Sequence, residues 1–352
     1  GHLPLAIELL LGQVRSRPDW TVSDHVHRFT RSADDLTPGL TSTYRELAPP
    51  TRRALNLLAL HPARLDDGEL ATLLAGSRHG AGGAGGGAGG TADGEREDLA
   101  GARAVADELT HRHLTTRGSD GRYDLHDTVR TLAITRTAQE EPSSALRAAV
   151  EALASRLLVR SRNAVSALGL LPGEAIAGEL EEATRAGDSS GSSQAHEPPS
   201  REAATAWLEE HLEVLVTTAQ LTAAHELAAQ TSAFSWVLDS YLQRHQQRWT
   251  DALLVHEAAA GHGIEAYRAT AIRRQASALN QLSRGSEAVA LLEGLLETSQ
   301  EDSYLTQAIL AASQNVRGRP TLAILAGEAA VLGAREAGDA RTELTASLSL
   351  TM

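Results

Sequence analysis

The sequence predicts a mainly α-helical fold with one small β-hairpin, ending in paired helices stacked as a solenoid. Three observations predict it. Apolar residues recur at helical spacing through most of the 352 residues. One turn, Gly118-Ser-Asp-Gly121, separates the short extended runs Leu114-Thr-Thr116 and Tyr123-Asp-Leu125. Late in the chain Arg248-Trp-Thr-Asp-Ala252 recurs as Arg284-Gly-Ser-Glu-Ala288 and Arg319-Pro-Thr-Leu-Ala323, at steps of 36 and 35 residues. A period of ~34 residues belongs to paired-helix repeats.

The elements follow in order. Leu3 to Val14 reads as a helix with Leu5, Leu9, Leu10 and Val14 on one face, and Pro4 sits near its start. Trp20 to Phe29 reads as a second. Leu40, Tyr44 and Leu47 share a face of a third, which Pro49-Pro50 is expected to stop. Thr51 is then the expected cap of a helix through Leu60, and Asp66 or Asp67 that of a helix through Leu74. Arg103 to Leu109 makes another helix before the hairpin. Asp127 is the expected cap of a long helix continuing through Val129, Leu132 and Ile134. The glycine–alanine tract within 79–95 is expected to be a surface insertion, because it has too little apolar area to order itself. Residues 187–201, rich in Ser, Gly and Pro, form a linker. From about Ala145 the chain is otherwise helical, and the small alanines Ala288, Ala323, Ala326 and Ala330 suit close helix packing.

Composition narrows the function. A net charge of −13 argues against a large nucleic-acid surface. The basic residues are all arginine, so a G-x-x-x-x-G-K-[ST] phosphate loop, which needs lysine, is not in this chain. Without cysteine there is no disulfide framework, thiolate zinc site or thiol nucleophile, which fits a reducing cytoplasm. No apolar run is long enough to span a membrane and no signal peptide is visible, so a cytoplasmic protein with no membrane partner is expected. The chain reads as a piece of a longer protein.

Helices followed by a hairpin suggest a winged helix, and the recurrences suggest tetratricopeptide repeats. With the opening Gly1-His-Leu-Pro-Leu-Ala6 and the run Arg122-Tyr-Asp-Leu-His-Asp-Thr-Val-Arg130, the chain resembles the C-terminal half of an NB-ARC switch, the module of STAND-type signalling ATPases. It is similar to actinobacterial regulators that join that switch to tetratricopeptide repeats. The resemblance implies residues 1–38 as the end of the NB-ARC helical lid, 39–140 as the winged helix, 141–201 as a helical connector and 202–352 as the repeats. It implies cofactor contacts from Pro4, packed on the adenine of ADP or ATP, and from His126, on the β-phosphate of ADP. The residues themselves suggest no catalytic constellation and no metal site. The nucleotide would be held by the intact protein, whose phosphate loop lies outside this chain. A protein or small-molecule inducer would act on the repeats, the activated form would oligomerise, and DNA would be met only through a further N-terminal domain.

The alternatives are plainer. A His-Asp pair at the end of a hairpin is by itself an ordinary strand end, and the chain could be a tetratricopeptide scaffold for protein–protein contacts. Arg130 is expected to be a solvated helix arginine. His25-x-His27 and His111-x-His113 have metal-like spacing, but residues two apart diverge on a helix. The helix from Ala102 to Thr110 carries Asp107 and Glu108 beside Arg103, a poor surface for phosphates.

Overall fold

The structure, a computed structural model, describes residues 37–80, 92–171, 178–185, 200–299 and 302–350. These are mainly helical, with one two-stranded antiparallel sheet among them. The helices expected at Leu3–Val14 and Trp20–Phe29 lie outside the described residues. The chain divides into two compact units between Arg156 and Leu157.

The first unit contains α1 (Thr37–Glu46), α2 (Pro49–Leu60), α3 (Asp67–Gly80), α4 (Ala92–His111), β1 (Thr116–Arg117), β2 (Tyr123–Asp124), α5 (Asp127–Glu140) and the first part of α6 (Ser143–Ala167). Leu40, Tyr44 and Leu47 are buried together, as their spacing predicts. The two prolines open α2 as well as following α1. Pro49 takes the first helical position after Ala48, where a missing N–H leaves no bond unmade. Thr51 is therefore not the cap. It is buried inside α2, and its hydroxyl donates to the Glu108 carboxylate of α4. α2 packs on α3, α4 and α5, and Ala54 to Ala59 are buried without a break. A helix enclosed on all sides cannot keep a polar face.

Asp66 caps α3. Its carboxylate accepts from the Glu69 N–H at 2.8 Å, while the Glu69 carboxylate accepts from the Asp66 N–H at 2.7 Å. This reciprocal pair satisfies two donors that the helix cannot. α3 runs past Leu74 to Gly80 because it packs closely on α6. A Cβ on Gly76 would lie 2.7 Å from the Ala148 carbonyl oxygen and from the Ala152 Cβ. α4 begins at Ala92 rather than Arg103, so it takes up the last residues of the expected insertion, of which 81–91 lie outside the described residues. In the hairpin, Thr116 pairs with Asp124 and Arg117 with Tyr123. Leu65 adds a bridge, accepting from the Tyr123 N–H at 2.8 Å. Helix, bridge, two helices and hairpin follow in the order of a winged helix.

The second unit contains the rest of α6, α7 (Gly178–Arg185), α8 (Arg201–Ala224), α9 (Ala228–Ser240) running into a π-helical turn (Tyr241–His245), α10 (Trp249–His262), α11 (Glu265–Gln281), α12 (Gly285–Thr298), α13 (Ser303–Val316), α14 (Pro320–Ala337) and α15 (Ala340–Leu350). From α8 onward each helix packs on the next, and α11 also packs on α13, which is a solenoid arrangement. The recurring arginines share one structural role: Arg248, Arg284 and Arg319 are the residues that open α10, α12 and α14. Four residues on, Ala252, Ala288 and Ala323 are buried.

The turn before each arginine explains the recurrence. Gln247, Ser283 and Gly318 stand at φ of 52°, 60° and 69°, the left-handed region. At α11 the Ser283 N–H donates to the Asn280 carbonyl at 3.0 Å and the Arg284 N–H to the Leu279 carbonyl at 2.8 Å. These two bonds satisfy carbonyls at the helix end and leave the next residue ready to start a new helix. Gly318 and Arg319 repeat both bonds. So do Glu226 (φ 57°) and Leu227 ahead of α9, where Thr231 is the buried residue four on. Gly338 (φ 72°) breaks α14 from α15 within the Ala-Gly-Asp run.

The turn makes a stability test. A Cβ on Gly318 would meet nothing within 4 Å, so only backbone conformation is at stake. Gly318→Ala is expected to destabilise the protein by about 1–2 kcal/mol, and Ser283→Gly to stabilise it by a smaller amount, read from urea midpoints. Equal midpoints for all three proteins would show that these turns do not constrain the fold.

Candidate functional site

The run from Arg122 to Arg130 anchors itself on both sides of its centre. Arg122 is buried and pairs with the buried Glu69 at 3.1 Å, while donating to the Arg64 carbonyl at 3.1 Å. Tyr123 is buried, and its hydroxyl donates to Asp67 at 2.6 Å. Asp67 also accepts from Arg103 at 2.8 Å and Arg117 at 3.0 Å. Burial opposes ionisation of Asp67, but the bonds from Tyr123 and Arg103 and the charge of Arg117 outweigh it. Its carboxyl titrates below the ordinary range. Leu125 and Val129 enter the core. Arg130 is no solvated arginine. It donates to the His61 carbonyl at 2.6 Å, beyond the end of α2.

His126 and Asp127 are left exposed at the apex between these anchors. Asp127 is the first residue of α5 and does not cap it. The cap is His126, whose Nδ1 accepts from the Thr128 N–H at 3.3 Å. A neutral imidazole accepting at Nδ1 carries its proton on Nε2. The protonated nitrogen of His126 thus stands at the start of a helix, where the backbone adds positive potential. Asp124 and Asp127 flank it with negative charge. Pro4, the other expected contact, lies outside the described residues, as do His25 and His27. His111 closes α4, and His113 follows it at φ 58°.

Sequence reasoning missed a polar cluster inside the second unit. Ser235 and Asp239 of α9 and Gln243 of the π turn meet His256 of α10 and Tyr267 and Arg274 of α11. The Ser235 hydroxyl lies 2.8 Å from Nδ1 of His256 and 3.2 Å from the Tyr267 hydroxyl. The Gln243 amide nitrogen donates to Asp239 at 2.6 Å and reaches Nε2 of His256 at 3.0 Å. Arg274 donates to Tyr267 and to the Ser235 carbonyl, and lies 3.6 Å from Asp239. Asp239 stands 3.3 Å from Nε2 of His256.

Serine, histidine and aspartate in contact suggest a nucleophile, but Ser235 and His256 are completely buried, and the Ser235 hydroxyl is shared between His256 and Tyr267. The cluster satisfies polar groups where three helices meet, and burial of this kind fixes their register. The available signal was Ser235, Asp239 and Gln243 at steps of four along a helix otherwise rich in apolar residues.

Comparison with protein-family models, with curated proteins and with solved structures finds no match.

Two tests follow from these networks. Arg122→Met leaves Glu69 buried without its ion-pair partner and is expected to cost about 3 kcal/mol, and adding Glu69→Leu should restore much of that loss. A double variant no more stable than the single one would refute the coupling. The second test concerns His256. Burial lowers its affinity for protons, Arg274 adds to this, and the bond and charge of Asp239 oppose it, leaving the ring below its ordinary range. The unfolded chain binds that proton at about pH 6.5 and the folded chain only at lower pH. Stability is therefore lost as pH falls below about 6.5. His256→Gln is expected to flatten the fall in urea midpoint between pH 7 and pH 5, and a parallel profile would remove His256 from the cause.

Proposed function

We propose that this chain is the regulatory and sensor portion of a nucleotide-switched signal-transduction protein of the NB-ARC/STAND kind, a cytoplasmic transcriptional regulator. The observation that carries this reading is the placement of His126. Buried Arg122, Tyr123, Leu125 and Val129 hold it, exposed, at the N-terminus of α5 directly after the hairpin. A donor on a rigid apex suits a phosphate oxygen. Because Asp124 and Asp127 flank the imidazole, His126 acts as a latch and not as the main anion site. The charge that holds the diphosphate of ADP or ATP belongs to a lysine-bearing loop elsewhere in the intact protein. Pro4 would pack on the adenine.

In this reading the nucleotide closes the first unit through His126. A protein or small-molecule inducer on the repeats favours the open state, which oligomerises. Such a switch moves only as far as the inducer's affinities for the two states differ. DNA contacts belong to another domain, and the chain itself performs no catalysis. No helix among the described residues is long and apolar enough to cross a membrane. A second reading, a tetratricopeptide scaffold, is favoured by the packed helix pairs from α9 to α14 and explains the second unit equally well.

Purified intact protein separates the two. ADP at near one per chain, with retention lowered and basal activity raised by His126→Ala, is the expected result. Protein free of nucleotide, or His126→Ala with unchanged ADP affinity and activity, would leave the scaffold.

A further inference from the structure

The helices that follow the recurring arginines differ in one respect. In α10 and α12 the third residue after the arginine is acidic and pairs with it. Arg248 meets Asp251 at 2.8 Å, and Arg284 meets Glu287 through two contacts of 2.7 Å. In α14 that position is Leu322, and Arg319 makes no ion pair among the described residues. The change continues along the helix. Exposed Ala290 and Glu297 of α12 align with Leu325 and Leu332 of α14, and exposed Gly294 with Ala329. Leu322, Leu325 and Leu332 are 40%, 58% and 60% exposed.

These residues form one stripe. Leu322, Leu325, Ala329, Leu332 and Glu336 are spaced 3, 4, 3 and 4 residues apart, the seam spacing of a helix that packs along another helix. The opposite face of α14 already lies in the core through Ala323, Ala326, Ala330 and Ala334. The repeat does not require leucine at all three outer positions: α12 carries Glu287, Ala290 and Glu297 there, and α10 carries Asp251 and Gly261, with a half-buried leucine, Leu254, at the middle one alone.

We infer that α14 pairs with α14 of a second copy of this chain, antiparallel about a two-fold axis. An isologous contact requires a self-complementary surface. Antiparallel pairing sets Leu322 against Leu332 of the other copy and Leu325 against Ala329, whose small side chain leaves room for it. The ends then match in charge. Glu336, last in the stripe, falls beside the other copy's Arg319 and the positive N-terminus of its α14. Arg319 so gains from the second copy the carboxylate that Asp251 and Glu287 supply to its counterparts. Glu328 lies at the flank of the stripe, in water. The inference is independent of the nucleotide reading.

The test is the mass of the intact protein by sedimentation over a range of concentrations. The expected result is a dimer that Leu325→Glu weakens at least about 100-fold in dissociation constant, since each copy carries the substitution. Leu325 is exposed, so the circular dichroism of the variant should be unchanged. The absence of cysteine allows a direct check of register. Ala329→Cys should cross-link between copies with a short bismaleimide, whereas Ala290→Cys, at an exposed position of α12, should not. A protein monomeric at all concentrations would overturn the inference, as when another segment or a different protein covers the stripe. So would a dimer indifferent to Leu325→Glu, or one in which Ala290→Cys cross-links as readily as Ala329→Cys.

Discussion

The left-handed residue at the end of a helix is the constraint on which most of this structure depends. His113, Gly169, Glu226, Ser283, Gly318 and Gly338 occupy it after α4, α6, α8, α11, α13 and α14. At each, the N–H of the next residue reaches back to a carbonyl five residues earlier: Leu114 to Leu109, Leu170 to Val165, Leu227 to Thr222, Arg284 to Leu279, Arg319 to Gln314 and Asp339 to Ala334. Two bonds close the carbonyl end and turn the chain sharply. A helix that begins immediately afterwards must run back along the one just ended, so the pairing of helices is decided locally. Packing then needs only small residues where the axes approach, as Ala252, Ala288 and Ala323 provide.

This also explains which elements were legible in the sequence. The spacing of Leu40, Tyr44 and Leu47 predicted a buried face because periodicity is a property of side chains. The recurrence at Arg248, Arg284 and Arg319 was visible for the same reason. The fourth example, at Glu226 and Leu227, shares the backbone turn but not the residues, so no pattern of residue types could show it. The prolines showed half of their role. Pro49 follows the end of α1, as expected, and also begins α2, because the first turn is the place where a helix needs no N–H. Tertiary contact also lengthened two helices beyond their sequence signals. α3 continues over glycines because Gly76 and Gly80 let it approach α6, and α4 extends back to Ala92.

The candidate site was legible as a motif and not as geometry. The sequence singled out His126, but assigned the cap of α5 to Asp127, the residue type that usually takes it. The structure gives the cap to His126 because Leu125 and Val129, both buried, set the rotation of the helix start. Arg130 looked like a surface charge, yet it satisfies a carbonyl beyond the end of α2, a long-range need that local sequence does not express. The pair of Arg122 with Glu69 is of the same kind: two charges 53 residues apart, one of them also part of the cap of α3. Such pairs favour one packing over others because neither charge can be buried alone.

The second unit answers the same demand differently. Where α9, α10 and α11 meet, too many faces are buried for every polar group to reach water, and His256, Ser235, Tyr267, Asp239, Gln243 and Arg274 satisfy one another. This ties the register of three helices to one network. Toward the end of the solenoid the balance reverses. α14 turns Gly327 and Ala330 inward, where α12 places Leu292 and Leu295, and carries its leucines outward. A helix with apolar residues on both faces costs solubility unless its second face is covered. The acid that pairs with the opening arginine in α10 and α12 is the residue that α14 replaces with leucine. The helix thus gives up an internal ion pair at the position where it gains an apolar contact surface. Fold stability alone does not account for both changes, whereas a contact that supplies a carboxylate to Arg319 and covers the leucines does.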